Sequence, residues 1–187
     1  ADPHSSQVRW TLGTLVVDGS ADVGGIPLQK LAVLPLVTKG NADTVLQLVV
    51  RRDLQLSGQF EVVAEATAPP GPFLHDTPVD VKAWHDKGVE VLVRVTAEDA
   101  GAKSKLTGEA WLLASGKPDP AFTQSIEVST QQARLGAHRM TDALLEALTG
   151  RAGGFASKLV YTARVGKGQQ VFVSDADGFD LHGYGPA

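Results

Sequence analysis

Residues 129–150, STQQARLGAHRMTDALLEALTG, and the stretch at 159–180, LVYTARVGKGQQVFVSDADGFD, decide how this chain is read. Ser129 and Gln132 have the spacing of a capping box, in which each side chain satisfies a free backbone N–H of a helix start, so a helix is expected from about Thr130. Ala133, Ala137, Met140, Thr141, Leu144, Leu145 and Leu148 recur at helical steps and form one stripe that faces a core. Gly150 supplies the left-handed residue that stops such a helix. Beyond it, two apolar runs are divided by Gly166-Lys167-Gly168 and closed by Asp177-Gly178, which predicts strand, turn, strand, turn.

Upstream of the helix, LTGEAWLL at 106–113 alternates as a strand does, and Gly116-Lys117-Pro118 turns it toward a second strand at 122–128, giving an antiparallel pair. Residues 89–95 read as another strand. Before it, Asp76 or Thr77 is placed to cap a short helix with Pro78 in its first turn, carrying Val81 and Trp84 inward and ending at Gly88. Residues 64–78 hold Pro69, Pro70, Pro72 and Pro78 and must be a surface loop, because proline cannot donate to a ladder.

KLAVLPLV at 30–37 is a continuous apolar run, typical of a strand buried on both faces, with Pro35 near its end. Asn41 is expected to cap the next helix, whose inward face is read as Val45, Leu48, Val49 and Leu56, with Arg51, Arg52 and Asp53 toward solvent or its boundary and Gly58 as the stop. A short strand at 60–63 completes a β-α-β unit. Residues 8–17, VRWTLGTLVV, mix β-branched and aromatic residues and read as an extended segment or strand. Residues 18–27, with three glycines and a proline, read as a flexible connection.

The bulk properties exclude several classes. The 187 residues are 43% hydrophobic, enough to bury about 70% of the unfolded surface in one domain or a domain plus a fragment. Seventeen basic against twenty-one acidic residues, with no long run of one sign, offer nothing to a nucleic-acid backbone. The absence of cysteine removes disulfides, thiolate metal sites and cysteine nucleophiles together. No apolar run approaches the ~20 residues needed to span a bilayer, so membrane insertion is not expected. The opening ADPHSSQ lacks the layout of a signal peptide and suits either a mature terminus left after cleavage or residues left over from cloning.

Catalytic constellations are not visible. His4, His75, His85, His138 and His182 form no H-x-x-x-H or H-E-x-x-H pair and are expected to be isolated surface histidines. His85 and Asp86 are adjacent on a helix and do not face each other. Gly166-Lys167-Gly168 lacks the third glycine and following helix of a nucleotide loop. Asp175, Asp177 and Asp180 resemble part of a calcium loop, yet Phe179 stands where a ligand is needed, and a turn between strands is the better reading. No catalytic residue, metal or cofactor is therefore expected.

The order Leu148-Thr149-Gly150, Gly154-Phe155, Leu159-Val160-Tyr161 and Val173-Ser174-Asp175-Ala176-Asp177-Gly178 resembles the TolB family where its N-terminal domain hands over to a β-propeller. KLAVLPL, the step LSGQFEVV at 56–63, and Trp84 and Gly88 before VEVLVRV are similar to the same family, which usually has a glycine where this chain has Arg94. The resemblance implies an α/β fold: a mixed β-sheet packed with about three helices, then a β-hairpin fragment of a propeller. It divides the chain into an extended segment and connection at 1–28, the α/β domain at 29–152, and an incomplete propeller at 153–187. It further implies a non-catalytic periplasmic adaptor of the Tol-Pal system, supporting envelope integrity and cell division. A TolA-like inner-membrane protein would be engaged through Val8, Arg9, Trp10, Thr11, Leu12, Thr14, Leu15, Val16 and Val17, and a Pal-like lipoprotein through the propeller. The alternatives are a free-standing α/β envelope assembly factor or lipoprotein, and an enzyme with an unrecognised site. One hairpin is marginal in water, so residues 155–187 must dock on the first domain, pair with another chain, or be mobile, and higher mobility is expected there than in residues 30–63.

Overall fold

The computed structural model describes residues 27–185, so the segment at 8–17 and its proposed contact residues lie outside the described residues. Eight strands and three α-helices follow in the order β1 (Lys30–Val33), α1 (Asn41–Leu56), β2 (Glu61–Val62), α2 (Val81–His85), β3 (Val91–Ala100), β4 (Lys103–Leu112), β5 (Phe122–Ser129), α3 (Ala133–Thr149), β6 (Lys158–Val165), β7 (Gly168–Asp175) and β8 (His182–Tyr184). The first five strands form one mixed sheet in the order β2-β1-β3-β4-β5. β1 runs parallel to both its neighbours, while β3, β4 and β5 are antiparallel to one another. The last three strands form a separate antiparallel sheet, β6-β7-β8.

The apolar run at 30–37 does what its composition demands, because its side chains alternate between two cores. Leu31 and Val33 join the core under α1 and α3, and Ala32, Leu34 and Leu36 join the one on the opposite face, around Trp84 and Trp111. The strand itself is shorter than the run. Leu34 still donates to Val93, but Pro35 has no N–H, and Leu36 turns away to bridge Phe73 of the proline-rich loop. That loop contributes Ala68 and Phe73 to the second core, so it covers the sheet's back face rather than merely crossing it.

Three helix details differ from the sequence reading. The capping oxygen of α2 is Asp80, which accepts Ala83 N–H at 2.9 Å, in place of Asp76 or Thr77. Ser129 makes no side-chain cap bond. Its successors Thr130–Gln132 form one 3-10 turn, and the α-helix begins at Ala133. Asn41 likewise makes no cap. Gly40 precedes α1, and Asp43 in the first turn reaches back to accept Lys39 N–H at 2.9 Å.

The inward face of α1 is also corrected. Leu48 and Leu56 are 65% and 53% exposed, while Ala42, Asp43, Leu46, Val49, Val50, Asp53 and Leu54 are buried. Two carboxylates thus take positions that a purely apolar stripe would fill. Asp43 is fixed by the Ala97 N–H at 2.9 Å and by His75 at 2.6 Å, tying α1 to β3 and to the proline-rich loop. The stripe of α3 agrees with the sequence reading from Ala133 through Leu145, Leu148 is partly buried, and Gly150 closes the helix at φ 73°.

Arg94 ties two parts of the back face together. It is opposite Glu109 across β3 and β4, and its Nε donates to Glu109 Oε2 at 2.6 Å. Its Nη1 donates to Thr77 O at 3.0 Å and its guanidinium lies 5.0 Å from the Trp111 ring, so this arginine clamps the proline-rich loop onto the back face.

Candidate functional site

The feature that sequence patterning missed is the joint where the five-stranded body meets the three-stranded sheet. It is built from α1, α3 and the turn after β7. Along α1, Asp53 falls on the buried turn between Val50 and Leu54, with Arg52 beside it at the rim. On α3, Arg134, His138 and Thr141 succeed one another at three- and four-residue steps and share a face toward Asp53 and the turn. β7 ends at Asp175, and the chain reverses through Ala176-Asp177-Gly178, where Gly178 has φ 82° and its N–H donates to Asp175 O at 2.9 Å. Asp175, Asp177 and Gly178 therefore form a strand-connecting turn, as expected.

His138 and Asp53 are both fully enclosed, with Nδ1 2.7 Å from Asp53 Oδ2. Thr141 donates to the same oxygen at 3.1 Å. Asp53 Oδ1 and His138 Nε2 are buried and make no hydrogen bond among the described residues. Nε2 faces the other sheet, 3.9 Å from Asp175 Oδ2. Asp175 is held by Arg134 Nε at 3.1 Å and by Lys158 Nζ, on β6, at 2.5 Å. Arg134 Nη2 donates to Asp177, whose backbone oxygen accepts Arg52 Nη2 at 3.3 Å. The Arg134 guanidinium lies 3.8 Å over the Phe179 ring. A second tie lies lower on α3, where Asp142 accepts the N–H groups of Phe155 and Ala156 at 2.8 and 3.0 Å.

These environments move the carboxyl groups in opposite directions. Burial pushes Asp53 above the usual carboxylate range, against the bond from His138. Burial acts the same way on Asp175, but the Lys158 and Arg134 bonds outweigh it and hold that group below the usual range. The joint is thus an ionic seam with an uncommitted nitrogen at its centre.

Neither a cofactor nor a metal is suggested by this chemistry. His138, Asp175 and Asp177 bring donor atoms within 4.8 Å of one another, but Arg134 already engages both carboxylates and supplies the positive charge an ion would bring. A shallow cleft of about 320 Å³ opens beside the joint, lined by Leu48, Val49, Arg52, Arg134, Asp177 and Phe179. Its charged groups are spent on each other rather than aimed into it.

The five histidines are not all isolated at the surface. His138 is in the seam and His75 is bound to Asp43, whereas His85 and His182 are exposed and His4 lies outside the described residues. The signal available in the sequence was positional: His138 follows Ala137 within the buried stripe, and a polar residue there needs a partner. No helix of the described residues is long and apolar enough to cross a membrane.

An α/β body keyed through buried charges to an antiparallel sheet with the form of a propeller-blade fragment defines a two-part protein class. Residues 22–114 match the family of TolB amino-terminal domains, and the chain belongs to the TolB family. It is 31% identical over 172 residues to Tol-Pal system protein TolB of Albidiferax ferrireducens, a match covering 84% of this chain and 36% of that protein. For Tol-Pal system protein TolB of Thiobacillus denitrificans the identity is 33% over 170 residues, covering 87% and 36%. The crystal structure of TolB from Acinetobacter baumannii shares the fold, with a TM-score of 0.69 at 19% identity over 83% of this chain and 38% of that one. The chain spans a little over a third of the length of the curated relatives it matches.

Proposed function

We propose that this chain serves the Tol-Pal system as a non-catalytic periplasmic adaptor. It links a TolA-like inner-membrane protein to a Pal-like lipoprotein of the outer membrane and so supports envelope integrity and cell division. The observation that carries the reading is the joint. A body sealed to the first strands of a blade by a buried ion network suits a protein that transmits contacts between two partners, and a free-standing assembly factor has no reason to carry the blade. In this reading the chain divides at about residues 28 and 152. Residues 153–187 begin a propeller that meets the lipoprotein, and no cofactor takes part.

The TolA-like contact falls in Val8, Arg9, Trp10, Thr11, Leu12, Thr14, Leu15, Val16 and Val17. Such a segment adds itself to the edge of a partner's sheet, where main-chain hydrogen bonds give affinity and alternate side chains such as Trp10 and Leu12 give specificity. Calorimetric titration of the C-terminal domain of the cognate TolA into the 187-residue chain and into a chain lacking residues 1–17 tests this. Binding is expected to be lost on truncation, with the body still folded. Equal affinity in the folded, truncated chain moves the contact elsewhere.

A further inference from the structure

We propose that the Asp53–His138 pair is a one-proton switch that sets how tightly the α/β body holds the three-stranded sheet. The argument rests on where the pair's bonds point. Nδ1 of His138 lies 2.7 Å from Asp53 Oδ2, so one hydrogen must lie between them. If that is the pair's only proton, Nε2 carries a lone pair and confronts the Asp175 carboxylate 3.9 Å away, oxygen against nitrogen with no donor between. With one more proton, the result is the same wherever the charge resides. An imidazolium donates from both nitrogens, and a neutral ring that accepts from a protonated Asp53 must carry its own hydrogen on Nε2. Either way a donor appears at Nε2, aimed across the joint at Asp175. The Asp53 contact is kept.

The surroundings make that single proton count. Both ring nitrogens are enclosed, and Nε2 has no hydrogen-bond partner among the described residues. Facing the ring are Asp53 from α1, with Arg52 next to it at the rim; Arg134 and Thr141 from α3; Asp175 from β7; and Asp177 from the turn beyond. Lys158 of β6 acts through Asp175, and Asp180 lies 3.8 Å beyond it. In this seam three cations, Arg52, Arg134 and Lys158, meet four carboxyls, and the added proton balances them. Among the described residues of the seam, Asp53 is the carboxylate that the body supplies, while Asp175 ends β7 and Asp177 and Asp180 lie between β7 and β8. A proton gained by the pair therefore turns the local contact between Nε2 and Asp175 from repulsive to attractive, adding to the ties that Arg134 and Arg52 already make across the joint.

The added proton favours the closed joint, so closing strengthens as pH falls while Asp175 is still ionised, and weakens as pH rises. Hydrogen exchange on the 187-residue chain reads this directly. The reporters are the Asp175, Gly178 and Phe179 amides, which donate within the turn at 2.8, 2.9 and 3.1 Å. Their protection, corrected for intrinsic rates and taken relative to the amides of β3, is expected to rise about threefold to tenfold from about pH 8 to about pH 5.5. Asp175→Asn and His138→Gln should each flatten that rise. If His138→Gln does not fold by circular dichroism, Asp175→Asn decides alone. Protection that is independent of pH in the unaltered chain, or a rise that persists in folded Asp175→Asn, overturns the proposal.

Discussion

The carboxylate of Asp142 accepts two consecutive backbone N–H groups, those of Phe155 and Ala156, and so fixes the point at which the chain leaves α3 for β6. A carboxylate bound this way satisfies two donors that the turn Gly153-Gly154 would otherwise leave exposed or unpaired. Asp142→Ala is expected to cost about 1 to 3 kcal/mol, and Asp142→Asn, which keeps one carbonyl acceptor, less than that. Chemical denaturation of both variants gives the order. Equal losses would show that the second bond contributes nothing.

Leu145 is 4% exposed in the core between α3 and the sheet, near Phe155. Leu145→Ala should cost about 2 to 5 kcal/mol, the range for deleting a buried leucine whose cavity does not collapse. A loss below about 0.5 kcal/mol, as at surface sites, would place this face of the helix outward.

Gly136 is a helix-interior glycine, where alanine normally gains about 1 kcal/mol. Here a Cβ would come within 2.6 Å of Leu106 Cδ1 and 3.0 Å of Val128 Cγ1, both side chains of buried strand residues. Overpacking of that kind costs about 1 to 3 kcal/mol, so the clash should prevail over the propensity gain. Gly136→Ala is expected to lower the melting temperature, and Val128→Ala in the same chain to recover part of the loss. A stabilised Gly136→Ala variant would contradict the packing.

The legible and illegible parts of this chain divide along a physical line. The stripe of α3, the alternating strands and the glycine stops were readable because they depend on residues three to eight positions apart. The face of α1 was not. Leu48 and Leu56 are apolar yet exposed, and Asp43 and Asp53 are charged yet buried, because each finds its partner far along the chain: His75 is 32 residues on from Asp43, and His138 is 85 on from Asp53. A periodicity count prices a carboxylate as solvent-seeking and cannot see a partner that arrives with another helix. The joint is hidden for the same reason, although Asp175, Asp177 and Gly178 are legible as a turn.

The two displaced carboxyl groups should give the chain opposing responses to acid. Asp175 lies below its ordinary value of 3.8 in the folded protein, since the Lys158 and Arg134 bonds overcome the effect of burial. Its contribution to stability is therefore complete above 3.8 and is lost as pH falls through the lower folded value. Asp53 is raised by burial, so it binds its proton more readily when folded, and what it contributes is present at low pH and lost as pH rises through the raised value. Urea unfolding followed from about pH 2 to about pH 5 should show a decline on the acid side that Asp175→Asn makes shallower. An identical acid limb in that variant would remove Asp175 from the account.

Arg134 reaches Asp175 and Asp177 across 41 and 43 residues, and Arg52 reaches Asp177 across 125. Contacts of such sequence separation are slow to form, since the intervening loops must close before they return any energy. The α1 and α3 surfaces that present these arginines do not exist until the body has condensed, so the blade strands can seat only onto a body already folded. During synthesis the body also emerges first, and residues 158–184 meet a finished template. Among the described residues the ionic seam is thereby expected to assemble after the body, which makes maturation a docking event rather than a collapse.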